Sequence, residues 1–165
     1  MKTLLLMRHA KSSRKDPKVD DFDRPLNKRG KKDAPLMGRF LLSADLVPQH
    51  ILCSSAKRAI KTAHLVVDGC CTKFSGEIEH SKELYSTDPS TLIHFIRNVD
   101  NHFGRLLLVS HNPELESLLH SLCRELISMP TASIARVALP LRKWHNLKAS
   151  TTGELVNLWK PHDLR

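Results

Sequence analysis

No apolar run in this 165-residue sequence approaches the roughly 18 residues needed to span a bilayer. The opening stretch MKTLLLM meets Arg8 and His9 after only a few apolar residues, too soon for the core of a secretory leader. Secretion and membrane insertion are therefore disfavoured, and a cytoplasmic location is expected. Cysteine is scarce: Cys53, Cys70, Cys71 and Cys123 are the only four, two of them adjacent and none in a CxxC pair. Such a set builds neither a disulfide framework nor a zinc knuckle, so reduced thiols are expected. The ten histidines show no metal-ligand spacing, and the chemistry read below requires neither a metal nor an organic cofactor. Aromatic residues make up only 5%, and none interrupts the densest basic run, Asn27-Lys28-Arg29-Gly30-Lys31-Lys32. A base-stacking nucleic-acid surface is disfavoured on that ground.

What is present suits one packed domain over residues 1–165. Hydrophobic residues contribute 41% and charged residues 26%, enough apolar material for a core and too little charge for disorder. The 26 basic residues outnumber the 17 acidic ones, for a net charge of +9 with histidine neutral. Spread along the chain rather than gathered in a block, this excess suits an acidic or phosphorylated partner.

Short apolar runs alternate with helical periods. Thr3–Met7, His50–Cys53 and Arg105–Val109 read as buried strands, each apolar and each ended by polar residues. Ile134–Leu139 and Glu154–Trp159 alternate more, as strands nearer an edge do, and Glu77-Ile78-Glu79 adds a short piece. Between them run four apolar stripes at helical spacing. The first holds Leu36, Met37, Phe40 and Leu41, after an N-cap at Asn27. The second holds Ala59, Ile60, Ala63, Val66 and Val67. The third, opened by Asp88-Pro89, is predicted to continue through Leu92, Phe95, Ile96 and Val99 to Phe103. The fourth, opened by Asn112-Pro113, holds Leu115, Leu118, Leu119 and Leu122. Strand and helix in alternation predict an α/β fold with a mostly parallel sheet covered on both faces.

In such folds chemistry collects at the carboxyl ends of the strands. The first strand runs into Arg8-His9-Ala10-Lys11-Ser12-Ser13, the second into Ser54-Ser55-Ala56-Lys57-Arg58, and the third into Ser110-His111-Asn112-Pro113. A parallel sheet brings Arg8, His9, Arg58 and His111 into one cleft. Two guanidiniums and two imidazoles make a phosphate-binding set, because arginine offers planar, multidentate donors to phosphate oxygens. The helix N-terminus at Ser55–Arg58 adds backbone N–H groups and a positive dipole end.

These residues resemble a known family. Leu6-Met7-Arg8-His9-Ala10 is similar to the Arg-His-Gly signature of the histidine phosphatase superfamily. Ser54 to Thr62 resembles its Ser-x-x-x-Arg-Ala-x-x-Thr motif, Val109-Ser110-His111-Asn112-Pro113 its late histidine motif, and Asp23 to Gly30 its Leu-Thr/Asn-x-x-Gly segment. The short chain and the run Arg8 to Ser13 resemble the compact SixA-type phosphohistidine phosphatases. Ala10 departs from the pattern, standing where the superfamily usually has glycine. The resemblance implies a three-layer α/β/α sandwich of the phosphoglycerate mutase-like kind. It also implies a phosphatase in which His9 accepts the phosphoryl group while Arg8, Arg58 and His111 hold its oxygens. Glu83 matches the position of the family's general acid, whereas Asp88 reads as a helix cap. Ser12, Arg24 and Thr131 are further candidates for substrate contact, Thr131 through the loop Met129–Ser133. Thr62 reads as helix packing.

The expected substrate is phosphohistidine in a protein, since no long insertion is available to form a lid over a small metabolite. A phosphatase of small esters, such as sugar or nucleotide phosphates, is the first alternative. A non-catalytic phosphate- or nucleic-acid-binding protein is the second.

Overall fold

The computed structural model describes residues 1–165. Its elements are β1 (Lys2–Arg8), α1 (Lys28–Ser43), β2 (His50–Ser54), α2 (Lys57–Gly69), β3 (Ile78–Ser81), α3 (Pro89–Arg97), β4 (Arg105–Ser110), α4 (Glu114–Cys123), β5 (Ile134–Leu139), β6 (Glu154–Trp159) and the short α5 (Pro161–Leu164). The strands form one sheet in the order β3-β2-β4-β1-β5-β6. The β3–β2, β2–β4 and β4–β1 pairs are parallel, whereas β5 runs antiparallel to both β1 and β6. The sheet is thus mostly parallel, as the alternation predicts. Of the two alternating strands, only β6 is an edge; β5 lies between β1 and β6.

The central strands show why near-continuous apolar runs suit this architecture. Successive strand residues point to opposite faces, and both faces are covered. Leu4 and Leu6 of β1, Leu52 of β2 and Leu106 and Leu108 of β4 join Leu92 and Ile96 of α3 and Leu115, Leu118 and Leu122 of α4 in one apolar cluster. Their neighbours Leu5, Met7, Ile51, Cys53, Leu107 and Val109 join Met37 and Leu41 of α1 and Ala59, Ala63 and Val66 of α2 in the other. Helices on both sides of the sheet make three layers. No helix is long and apolar enough to cross a membrane.

The third stripe ends sooner than its spacing predicts. α3 stops at Arg97, because Asn98 turns its side-chain amide onto the His94 carbonyl. Phe103 packs against the apolar cluster from the turn that follows. The predicted caps at the other ends are present: Asn27 accepts from the Gly30 amide and Asp88 from the Thr91 amide.

The topology sets the position of the cleft. From β1 the chain crosses by α1 to β2, on one side, and from β4 it crosses by α4 to β5, on the other side of β1. Connections that diverge from adjacent strands leave a crevice at the carboxyl ends of those strands. The register keeps those ends level, with Arg8 opposite Ser110 and Cys53 opposite Val109.

Close packing of α1 on α2 rests on two glycines. A side-chain carbon at Gly38 would strike the Val66 carbonyl, and one at Gly69 the Pro35 carbonyl, both of them backbone and unable to rotate away. We expect Gly38→Ala to cost about 1–3 kcal/mol, the usual range for overpacking. Urea unfolding should show a lower midpoint with an unchanged slope.

Candidate active site

β1 delivers Arg8 and His9 to the floor of the crevice. His9 is buried, and its Nδ1 lies 2.7 Å from the Ala10 carbonyl oxygen. A carbonyl can only accept, so Nδ1 carries the ring proton and Nε2 keeps its lone pair. Arg58, in the first turn of α2, donates from Nε to that Nε2 at 3.3 Å. The two side chains are 49 positions apart in sequence, and the parallel pairing of β1, β4 and β2 brings them together.

Thr62 does more than pack inside its helix. Its hydroxyl accepts from the Ala10 amide at 3.0 Å and donates to the Arg58 carbonyl at 2.6 Å. One hydroxyl therefore fastens the turn after His9 to the helix that carries Arg58. Ala10, at the family's glycine position, is fully buried, and its methyl group joins the cluster beneath α1 and α2.

His111 follows β4. Its ring centroid lies 5.1 Å from that of His9, and its Nε2 lies 2.8 Å from Ser54 Oγ. Ser54 Oγ also accepts from the Ala56 amide. The other ring nitrogen of His111, Nδ1, is buried and has no partner in the protein. Arg8 Nε, which can only donate, is likewise buried and unpartnered, while its Nη1 donates to the Met129 carbonyl at 3.1 Å. Buried donors are normally paired. Among the exceptions are Arg8 Nε, on the residue next to His9, and His111 Nδ1, on the ring 5.1 Å from that of His9, and an unpaired guanidinium N–H there suits a ligand with acceptor oxygens.

The electrostatics agree. Burial lowers the pKa of His9 to about 3; His111, Arg58 and Arg8 also lower it, against the Ala10 hydrogen bond. Burial and then Arg58 lower His111 to about 4. Both rings are neutral near pH 7 because burial disfavours the charged form, and the arginines around them add to the effect. By contrast, burial alone pushes up the thiol of Cys53, and those of Cys70 and Cys123 rise to about 11, so these three stay protonated.

The substrate-contact candidates divide. Arg24 is buried and donates from Nη1 to Ser12 Oγ at 2.7 Å and from Nε to Asp21 Oδ1 at 3.0 Å. Ser12, Arg24 and Thr131 line one cavity with Arg8 and His9, of about 330 Å³. Glu83 stands apart: it is exposed in a 3₁₀ turn after β3, and only its backbone amide is engaged, by Ser81 Oγ. The structure does not bring its carboxylate to the His9–Arg58 pair by any hydrogen bond or ion pair.

Residues that the sequence reading passed over complete the site. Asp21 accepts from Arg58 Nη2 at 3.0 Å and from the Tyr85 hydroxyl at 2.7 Å, and its carbonyl accepts from Arg58 Nη1. Donation by Tyr85, then by Arg58 and Arg24, holds the Asp21 carboxyl well below the usual carboxylate range. Tyr85 also meets His111 edge-on, with centroids 5.5 Å apart. Glu116 Oε1 accepts from the Asn112 side chain and the Met129 amide, each at 2.8 Å, which fixes the carbonyl that Arg8 grips. Asp21 lies in an irregular stretch and Tyr85 past a short strand, where no periodicity marks them.

Comparison with known proteins agrees with this geometry. Residues 4–84, with the strand, Arg8-His9 and Arg58, match the histidine phosphatase superfamily (branch 1). A Mycobacterium leprae protein is 32% identical over 168 residues, covering 94% of this chain and 99% of its own length. The chain belongs to the histidine phosphatase superfamily. A Mycobacterium tuberculosis protein is 36% identical over 113 residues, a stretch spanning 68% of this chain and 66% of that protein. In fold, the chain is similar to the protein histidine phosphatase SixA complexed with tungstate, with a TM-score of 0.83, 24% identity and 99% of each chain covered. The fold is therefore phosphoglycerate mutase-like.

The protonation pattern has a measurable consequence. Unfolded histidines take up protons near pH 6.5, whereas these two stay neutral in the native state down to about pH 3 and 4. Across that window the unfolded chain binds more protons, so native stability falls as pH drops below about 6.5. Urea midpoints at pH 7 and 5 should show the loss, with a shallower dependence in His9→Gln. Long-range ¹H–¹⁵N spectra at pH 5 should find His9 still neutral with its proton on Nδ1. A ring that titrates near pH 6.5 would refute the assignment.

Proposed function

We propose that this protein is a phosphatase that passes the phosphoryl group through His9, acting on phosphohistidine borne by a protein. The observation that carries the reading is a single juxtaposition. An unprotonated, buried Nε2 has Arg58 Nε at 3.3 Å, with the unpartnered Arg8 Nε on the preceding residue and the unpartnered His111 Nδ1 on a ring 5.1 Å away, centre to centre. Tungstate, found with SixA, has the tetrahedral oxyanion shape of phosphate, which supports the same ligand class here.

In the first step the His9 Nε2 lone pair attacks phosphorus in line. A P–Nε2 bond forms and the bond from phosphorus to the leaving group breaks. Arg8 and Arg58 neutralise the equatorial oxygens, where phosphoryl transfer concentrates its charge, and the neutral His111 ring hydrogen-bonds beside them. Arg58 is partly committed to Asp21, so an incoming phosphate shares or takes over those donors. The proton stays on Nδ1, hydrogen-bonded to the Ala10 carbonyl, throughout. The phosphorylated ring is therefore a cation whose departure yields neutral imidazole. Water then attacks phosphorus, the P–Nε2 bond breaks, and the water protons leave with inorganic phosphate.

The leaving group decides between substrates. An alkoxide must be protonated as it departs, and Glu83 is the nearest match to a family acid. A phosphorylated imidazole already protonated at its distal nitrogen departs neutral and asks nothing of the enzyme. An acid that is exposed and held by nothing suits the second case. The reading of small phosphate esters as substrates requires a working Glu83 instead.

Rapid quenching during turnover of a phosphohistidine peptide should trap phosphate on His9, labile to acid and stable to base. His9→Ala should abolish both trapping and turnover; normal turnover in this variant would refute the mechanism. Arg58→Ala should lower the rate by about 10²–10³, the loss typical of one charge-stabilising donor. Glu83→Gln should reduce hydrolysis of alkyl phosphate esters far more than hydrolysis of phosphohistidine, measured as kcat/KM on each.

A further inference from the structure

A second concavity opens beside the catalytic crevice. It has a volume of about 610 Å³, a floor that includes Phe22 and Ile60, and a rim of Lys31, Lys57, Lys61 and His64. Asp23 is the sole carboxylate along it. The four rim residues are exposed, and nothing in the mechanism uses them. Two lines tie the groove to the site. Lys57 immediately precedes Arg58 on α2, and Phe22 immediately follows Asp21, the residue that grips Arg58. The rings also run on continuously: His111 meets Tyr85, and Tyr85 meets Phe22 edge-on with centroids 5.0 Å apart.

Helix geometry shapes the rim. Lys57, Lys61 and His64 recur at i, i+4 and i+7, so they form one stripe along α2, about 10 Å from first to last at 1.5 Å per residue. An extended polypeptide covers that length in about three residues. Lys31 of α1 and Lys82, whose Nζ stands 5.4 Å from the Phe22 ring centroid, add positive charge around the same floor. The cavity that holds Arg8 and His9 differs. Lys11, Arg14 and Lys15 are equally exposed and basic there, but no apolar side chain lines that cavity. A phosphate needs only charge and donors. A groove with an apolar floor and a cationic rim, one residue from the phosphate-binding arginine, fits a chain of mixed apolar and acidic side chains.

We propose that this groove docks an acidic segment of the phosphorylated polypeptide, placing its carboxylates on Lys31, Lys57 and Lys61 and an apolar side chain over Phe22 and Ile60. The inference rests on the reading of a protein-borne phosphohistidine as substrate, and it assigns where that protein is held. Its charge complementarity raises the encounter rate and is screened by salt.

Two phosphohistidine peptides of equal length test it, one with Asp, Glu and Leu around the modified residue and one with Ser, Asn and Leu. The parent protein should hydrolyse the acidic peptide with roughly tenfold higher kcat/KM at low ionic strength, the scale of a few exposed ion pairs together. That preference should shrink in 0.5 M salt. It should vanish in the Lys31→Glu/Lys61→Glu variant, whose fold is checked by its unfolding midpoint. Turnover of both peptides without preference, or a preference that survives in the variant, overturns the docking groove and leaves the phosphohistidine reading standing. Failure to hydrolyse either peptide, with p-nitrophenyl phosphate still turned over, overturns the protein-substrate reading and the groove with it.

Discussion

The hydrogen bond from His9 Nδ1 to the Ala10 carbonyl is the constraint from which the site follows. It puts the ring proton away from the cleft and leaves Nε2 bare toward Arg58. It works only if Ala10 is held still, and two features hold it. Thr62 receives the Ala10 amide, and the Ala10 methyl is packed among the side chains under α1 and α2. A tautomer, a turn and a helix are thus set by one short run of bonds. The methyl in place of the family's glycine adds contact to that run without disturbing it.

The second theme is positive charge kept ready in a dry place. Gathering Arg8, Arg24 and Arg58 around two buried imidazoles is costly unless something offsets it. Keeping the imidazoles neutral removes two charges. Asp21 and the Met129 carbonyl occupy arginine donors in the free protein, and Glu116 in turn anchors Met129. Arg8 Nε and His111 Nδ1 remain unpaired. Preorganisation of this kind places the electrostatic work before the substrate arrives.

Much of this was legible beforehand. Buried strands announce themselves as short apolar runs, and the polar clusters at their ends mark the functional edge of the sheet; β1, β2 and β4 are such strands, and they carry His9, the segment before Arg58, and His111. Caps were equally local, since Asn27 and Asp88 reach amides only three residues away. The extension of the third helix to Phe103 was wrong because a stripe of apolar spacing does not encode a stop; the Asn98 side chain supplies it. Thr62 looked like packing because its partners, Ala10 and Arg58, come from two different motifs. Asp21 and Tyr85 carried no signal, being 64 positions apart in irregular stretches.

What the sequence by itself determined was the set of elements, their alternation and the identity of the residues at the strand ends, because those depend on hydrophobic period and on bonds to near neighbours. Only the tertiary structure decided which ring nitrogen of His9 is free, which acid grips Arg58, and which donors stay unpaired. Those outcomes depend on distances between segments far apart along the chain, and such distances exist only once the sheet has set their register.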